Sequence, residues 1–247
     1  MDQSLLADFK EQRCVESFHP RNPYYTIEVM FIGWLDLIYP KKCLGCGSLG
    51  KYFCDTCLKK ITLTPDKSYL FDQILDLNGV VSLFEYRGLT RLGIHRLKYR
   101  FLTDSQSEWR QLIRSALGAK LSAESGWRLK RFFLKNPAVV PVPLYWRRHN
   151  WRGFNQAEII ARMLSFNLKL TLKTDLVKRI KSTQPQVGLT RRDRLKNLRQ
   201  AFTVTGKSPR SVLIVDDVWT SGSTIGAVAR VLRKAGAKNI WALTLAR

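Results

Sequence analysis

The sequence has few acidic residues. Only 19 Asp and Glu stand against 42 Lys and Arg, so the formal net charge is +23 and the isoelectric point is about 10.2. Such a surplus favours polyanionic partners, and single-stranded nucleic acid is the first to consider. Binding of Lys and Arg to the phosphates of a nucleic acid releases counterions. Unpaired bases can stack on aromatic rings, and the sequence contains seven Trp. A solvated basic surface remains the alternative.

Long hydrophobic runs are also missing. The most apolar run covers residues 29–39 and contains Asp36, so it falls short of the about 20 residues that a membrane span needs. No export signal is evident, because Asp2, Asp8 and Glu11 interrupt a basic leader. We therefore expect a cytoplasmic protein without a membrane span.

Cysteine is sparse, and four of the five cysteines lie together. They form two Cys-x-x-Cys pairs, Cys43 with Cys46 and Cys54 with Cys57. So few thiols in so long a chain do not make a disulfide framework and fit metal ligation in a reducing compartment. Each pair can present two thiolates to one tetrahedral ion, which predicts a structural zinc site. A redox dithiol, a pair of disulfides or an iron–sulfur cluster remains an alternative.

Three regions are predicted along the chain: an N-terminal extension over residues 1–25, a helix plus the four-cysteine module over 26–66, and a larger domain over 67–247. Apolar residues at steps of three and four predict a helix that ends at Pro40. We expect this helix to pack on the neighbouring four-cysteine module. Attachment to a membrane surface is the alternative. Further strands are predicted near 80–86, 138–143, 176–180, 212–215 and 240–245, and helices near 89–97, 106–121, 155–164 and 224–235. The alternation predicts an α/β fold with a mainly parallel, doubly wound sheet.

The segment 212–224 carries the most chemical information. Its four apolar residues predict a parallel strand buried on both faces. Asp216 and Asp217 follow at the edge where open α/β sheets bind ligands, and their carboxylates can accept hydrogen bonds from ribose hydroxyls. A turn of small polar residues then enters a helix, whose macrodipole favours a phosphate. These residues are Thr220, Ser221, Gly222, Ser223 and Thr224. An ordinary turn with ordinary helix capping is the alternative.

This segment resembles the signature of type I phosphoribosyltransferases, and other parts of the chain narrow the resemblance to the ComF family of competence-associated proteins. They are the apolar helix that ends at Tyr39 and Pro40, the run 140–143 with residues 147–157 after it, and the stretch 184–202. The resemblance covers roughly residues 28–247. Trp219 departs from the general pattern, which has an aliphatic residue there.

The resemblance implies a phosphoribosyltransferase-like sheet, an N-terminal zinc finger and a role in carrying incoming single-stranded DNA during natural transformation. The sheet would bind phosphoribosyl pyrophosphate (PRPP), with Mg²⁺, or a nucleotide phosphate. In a working transferase, Asp216, Asp217, Lys181 and Arg191 would be the catalytic candidates. The last two belong to a basic stretch that resembles the mobile hood over the active site of phosphoribosyltransferases.

A second basic cluster follows the predicted strand 138–143 and comprises Arg147, Arg148, Trp151 and Arg152. Its guanidinium groups can hold either a diphosphate or a DNA backbone, and the region resembles the loop that cradles pyrophosphate. Three functions follow: a competence factor that handles single-stranded DNA, an active phosphoribosyltransferase acting on a base or amine, or an adaptor that docks a DNA helicase or translocase through the zinc module.

Overall fold

The computed structural model describes residues 40–65, 76–99, 105–146, 150, 153–181, 198 and 200–247. The chain splits into two compact units, Met1–Cys54 and Asp55–Arg247, and each is described by itself. The predicted extension and the helix before Pro40 lie outside the described residues. The predicted domain boundary at 66 and 67 does too, and it stays a prediction. Among the described residues, no helix is long and apolar enough to cross a membrane.

The second unit alternates strands and helices along most of its length. Its helices are α1 (Asp55–Leu58), α2 (Gly88–Tyr99), α3 (Gln106–Ser122), α4 (Trp127–Phe133), α5 (Gln156–Leu168) and α6 (Ser223–Lys234). Its strands are β1 (Gly79–Phe84), β2 (Ala138–Pro141), β3 (Val177–Arg179), β4 (Phe202–Val204), β5 (Ser211–Val218) and β6 (Asn239–Ala246). Each strand and helix predicted between residues 80 and 245 is present.

Four of the strands form one sheet in the order β1-β6-β5-β2, and every neighbouring pair in it is parallel. Strands β3 and β4 form a separate antiparallel pair. The parallel α/β sheet predicted from the sequence is therefore confirmed. The predicted strand near 176–180 is β3, but it pairs with β4 and does not extend the main sheet.

Helices cover both faces of the main sheet. On one face, strand residues such as Ile214 and Ala242 share a buried cluster with Ile225 and Val228 of α6. Trp241 points to the other face, because side chains alternate along a strand, and it stacks on Phe132 of α4 with ring centroids 5.3 Å apart. A sheet buried on both faces explains why β1, β5 and β6 are mostly apolar.

Strand β2 ends at Pro141, two residues before the predicted end at residue 143. It lies at the edge of the main sheet. The amide of Val139 donates outward to the Thr171 carbonyl at 2.8 Å, whereas that of Val142 donates inward to the Val215 carbonyl at 2.9 Å. Amides along a strand alternate in direction, so Pro141 occupies an outward position and the ladder with β5 loses no donor.

Gly79 of β1 is the register partner of Trp241 in β6, and the Trp241 ring lies beside it. A β-carbon at this position would lie 2.7 Å from a ring carbon of Trp241, and the stack on Phe132 hinders the ring from moving aside. We expect Gly79→Ala to lower the free energy of unfolding by about 1–3 kcal/mol through overpacking, as measured by urea denaturation. The matched control is Gly118→Ala in α3, where a β-carbon meets nothing within 4 Å and stability should hold or rise. Equal stability of Gly79→Ala and the unmodified protein would contradict the packing described here.

Candidate functional site

The paired carboxylates lie within β5, near its end. The strand continues to Val218, beyond the predicted end at Val215, because β6 runs beside it and pairs Val218 with Ala246. Consecutive strand residues point to opposite faces, so Asp216 and Asp217 do not share one face of the sheet. Both are half-buried.

Each carboxylate is oriented by the backbone. An Oδ1 atom of Asp216 accepts a hydrogen bond of 2.9 Å from the amide of Asp217, and Oδ1 of Asp217 accepts one of 2.7 Å from the amide of Val218. The two side chains are therefore held as acceptors at the carboxyl end of β5, where an open α/β sheet binds its ligands.

Two buried hydroxyls line up beside Asp216, and sequence reasoning missed them. Thr244 of β6 is the register partner of Asp216 on one side and of Ser82 in β1 on the other. The Oγ of Ser82 and the Oγ1 of Thr244 lie 2.8 Å apart. Polar residues within two otherwise apolar runs were the available signal. Buried hydroxyls are normally hydrogen-bonded, and this pair links β1 and β6 beside the site.

The turn after β5 enters α6 through a left-handed glycine. Gly222 is the N-cap, with φ 70° and ψ 0°, a conformation that favours glycine. Its carbonyl accepts the first bond of the helix from Gly226 at 2.8 Å. The Oγ atoms of Ser221 and Ser223 lie 2.7 Å apart. The amide of Ser223 makes a long bond of 3.4 Å to Oγ of Ser221, and the next amides have no partner within the helix, so the turn offers donors that suit a phosphate.

Trp219 packs inward at the start of this turn. It is 7% exposed and belongs to the buried cluster that includes Ile225 and Val228. Its amide donates to the Ala246 carbonyl at 2.8 Å. The aromatic ring thus occupies core volume, and the departure from the aliphatic pattern is accommodated below the turn.

The segment after β2 leaves the sheet at the same edge, because β2 and β5 are parallel neighbours. Asn155 anchors its far end. The side chain donates to the Val142 carbonyl at 3.0 Å and accepts from the amide of Ala157 at 3.1 Å, so it caps the amino terminus of α5. The basic cluster between these anchors, Arg147, Arg148, Trp151 and Arg152, lies outside the described residues, so its role stays a prediction.

The two basic catalytic candidates are not brought to the turn by any contact among the described residues. Lys181 follows β3, is exposed and donates to Oε1 of Gln200 at 3.1 Å. Arg191 lies outside the described residues. Their catalytic assignment stays a prediction.

The four predicted metal ligands converge. The sulfur atoms of Cys43, Cys46, Cys54 and Cys57 all lie within 4.8 Å of one another, and those of Cys46 and Cys54 are 3.6 Å apart. Four thiolates at zinc–sulfur distances of about 2.3 Å in a tetrahedron stand about 3.8 Å apart. The geometry therefore fits a zinc ion, which these sulfurs would hold as a closed structural site.

Backbone hydrogen bonds around the first cysteine pair favour the thiolate form of Cys43. Burial by itself raises the pKa of the Cys43 thiol, but backbone hydrogen bonds from Cys54, Gly45 and Cys46 outweigh it and lower the pKa from 9.0 to about 6. The amide of Cys54 lies 3.5 Å from the Cys43 sulfur. Gly47 closes the turn with φ 78°. A thiolate at neutral pH is the form that zinc requires.

Comparison with known proteins places this site in a family. Residues 126–247 match the phosphoribosyl transferase domain. Competence protein F of Haemophilus influenzae is 43% identical over 119 residues, which cover 46% of this chain and 52% of that protein. The DNA utilization protein YhgH of Escherichia coli O157:H7 is 34% identical over 170 residues, 68% of this chain and 71% of that protein.

The competence protein ComFC of Streptococcus pneumoniae is 32% identical over 137 residues, 55% of this chain and 57% of that protein. The chain thus spans only about half the length of the Haemophilus and Streptococcus relatives. It does align with 71% of the YhgH protein at 34% identity. On this match, the chain belongs to the ComF family, together with competence protein F, ComFC and YhgH.

Proposed function

We propose that this protein handles single-stranded DNA in a competence-related process and binds PRPP or a nucleotide phosphate at the turn after β5. The names of its relatives support the first part, because one is a competence protein and another a DNA utilization protein. The net charge of +23 supports affinity for a polyanion. A cytoplasmic location is part of the same proposal, and cell fractionation would test it.

The observation that carries the ligand proposal is the succession of two oriented carboxylates, a left-handed Gly222 and the start of α6. In this succession the carboxylates of Asp216 and Asp217 suit ribose hydroxyls, and the amides from Ser223 onward suit a 5′-phosphate. Carboxylate oxygens are also ligands that Mg²⁺ accepts. The Mg²⁺ that accompanies PRPP would neutralise part of the charge of Asp216 and Asp217.

The proposal is tested by fluorescence anisotropy with labelled single-stranded and duplex oligonucleotides across a salt series, with and without Mg²⁺ and PRPP. We expect the single strand to bind more tightly than the duplex. The slope of log K against log salt should be about −0.7 for each phosphate contacted. A change of affinity on adding PRPP would link the DNA to the turn. Absence of binding to either form near physiological salt would overturn the DNA-handling function.

An active phosphoribosyltransferase is the second candidate, favoured by the retained carboxylate pair and small-residue turn. In that reaction, a nitrogen of a base or amine acceptor attacks C1 of PRPP, the bond from C1 to pyrophosphate breaks, and the acceptor proton passes to solvent. Cationic groups and exclusion of water would assist the charged transition state. Lys181 and Arg191 are our candidates for the cationic groups. Release of pyrophosphate from PRPP in the presence of an acceptor, and its loss in the Asp216→Asn and Asp217→Asn double variant, would establish this activity.

A helicase or translocase of the DNA uptake machinery is the protein partner we propose for the cysteine module. The proposal is supported by the competence names of the relatives. It predicts that a tagged form of the protein retains such a partner and that a variant without its metal ligands does not. Equal retention by both forms would contradict it.

A further inference from the structure

A groove crosses the amino-terminal edge of the main sheet, opposite the edge that carries the phosphate turn. It consists of two adjoining cavities of about 610 and 430 Å³, which share Lys135 and Asn239 as lining residues. The first cavity lies where β1 and β6 begin, and the second where β5 and β6 begin. We call their union the rear groove.

The floor and one rim of the rear groove are aromatic. Trp241 and Phe132 form the floor as a stacked pair whose planes differ by 20°, and Gly79 leaves room for the Trp241 ring. At the rim, Trp127 is 55% exposed although it belongs to a short helix that packs on the sheet. The guanidinium carbon of Arg128 lies 5.2 Å from the centre of its ring. A flat exposed ring with a cation on one face can take an unpaired base on the other.

The rest of the lining is cationic or neutral. Arg128, Arg131 and Lys135 line the first cavity, and Arg210 lines the second. All four are exposed, and within the described residues none of them forms an ion pair with a carboxylate. Lys135 donates instead to Oδ1 of Asn239 at 3.1 Å. No carboxylate lines either cavity, so the charge along the rear groove has one sign and suits a chain of phosphates.

We infer that the rear groove is a binding site for single-stranded nucleic acid, in which bases stack on Trp127 and the Arg128 guanidinium while Arg131, Lys135 and Arg210 contact successive phosphates. Two adjoining cavities suit an extended strand better than a single small anion. An acidic peptide would satisfy the cations but would leave the aromatic platform without stacking partners. The inference rests on the proposed single-strand binding and says where the strand lies.

The rear groove is distant from the turn that would bind PRPP. Strand β5 runs from Ser211, at the groove, past Asp216 to Val218, and the five steps of about 3.3 Å from Ser211 to Asp216 span roughly 17 Å. A ligand at Asp216 and Asp217 therefore does not reach the rear groove. Substitutions at one site should leave direct contacts at the other intact, which makes the two separately testable.

The experiment compares binding of a labelled oligothymidylate of about 15 nucleotides to the full chain and to two groove variants across a salt series. Trp127→Ala should weaken binding about tenfold or more by removing a stacking platform, and Trp127→Phe should restore part of the loss. Arg131→Gln with Lys135→Gln should reduce the magnitude of the salt slope by about 1.4, the loss of two phosphate contacts. The control is Arg91→Gln with Arg96→Gln, two exposed positions of α2 with the same loss of charge, which should keep the slope.

The outcomes separate this inference from the proposed function. If the unmodified chain does not bind the strand, the proposed function fails and the inference fails with it. If the chain binds but the groove variants match the α2 control, the function stands and the rear groove is overturned. Loss of binding in Arg147→Ala with Arg148→Ala alone would then place the strand on the other edge. Polyglutamate that displaces the oligonucleotide at equal charge concentration would also overturn the inference, whereas oligouridylate that competes equally would support it and extend it to RNA.

Discussion

Replacement of Asp216 and Asp217 by asparagine should weaken PRPP binding in the presence of Mg²⁺ by at least about 100-fold. Hydrogen bonds to charged groups contribute about 1.5–3 kcal/mol each. Loss of one such bond from a ribose hydroxyl at each of the two carboxylates would raise the dissociation constant by two or more factors of ten. Asparagine retains an Oδ1 acceptor, so the bonds from the amides of Asp217 and Val218 can persist and the fold should be unchanged. Isothermal titration calorimetry measures the affinity, and the melting temperature checks the fold.

The control for this pair removes the same charge elsewhere. Glu124→Gln with Asp175→Asn changes two exposed carboxylates, so a general gain in positive charge should keep or slightly improve binding of the anionic ligand. Single-strand binding should also survive in the Asp216 and Asp217 variant, because the rear groove is at the opposite edge of the sheet. Unaltered PRPP affinity in that variant would show that the turn after β5 is not the ligand site.

Most of the main sheet could be predicted because its strands are buried on both faces. Val212 to Val215 and Ile240 to Leu245 are 0–1% exposed except Trp241, at 7%, and such burial leaves a run of apolar residues in the sequence. The order of the strands left no comparable trace, because it depends on which distant segments pair. The paired carboxylates were recognisable for the same reason: they interrupt an apolar run just before small polar residues.

Short elements escaped prediction. Strand β4 is three residues long and pairs only with β3, so it buries too little to produce a pattern. Helix α4 has only seven residues, of which three are basic, and only Leu129 and Phe132 are buried in it. The rear groove was invisible in the sequence for a related reason. Its parts, including Trp127, Arg210 and Trp241, come from separate elements that meet only once the sheet has formed.

Loss of one buried metal ligand is expected to unfold the cysteine module. Cys57 is 2% exposed and Cys43 is 4% exposed, and Phe53 is the one other residue between 40 and 58 buried to this degree. So small an apolar core does not offset the conformational entropy of ordering the segment. Zinc binding contributes about 10–16 kcal/mol in comparable peptides. Cys57→Ser should therefore reduce bound zinc from about one ion per chain to none, as measured by mass spectrometry of the metal.

Hydrogen exchange tests the structural half of this prediction. In Cys57→Ser, the amides of Cys43 and Leu44, which now donate to the Ser48 and Tyr52 carbonyls at 2.8 and 2.9 Å, should exchange at rates near those of an unfolded chain. Amides of β5 and β6 should keep their protection, since these strands pair only with strands of the main sheet. Cys14→Ser is the control, because it removes a thiol outside the cluster and should retain the full complement of zinc. A Cys57→Ser protein that keeps one zinc per chain and slow exchange at Cys43 would contradict the four-cysteine site. Iron and sulfide found in the unmodified protein would show that the four cysteines bind an iron–sulfur cluster and not zinc.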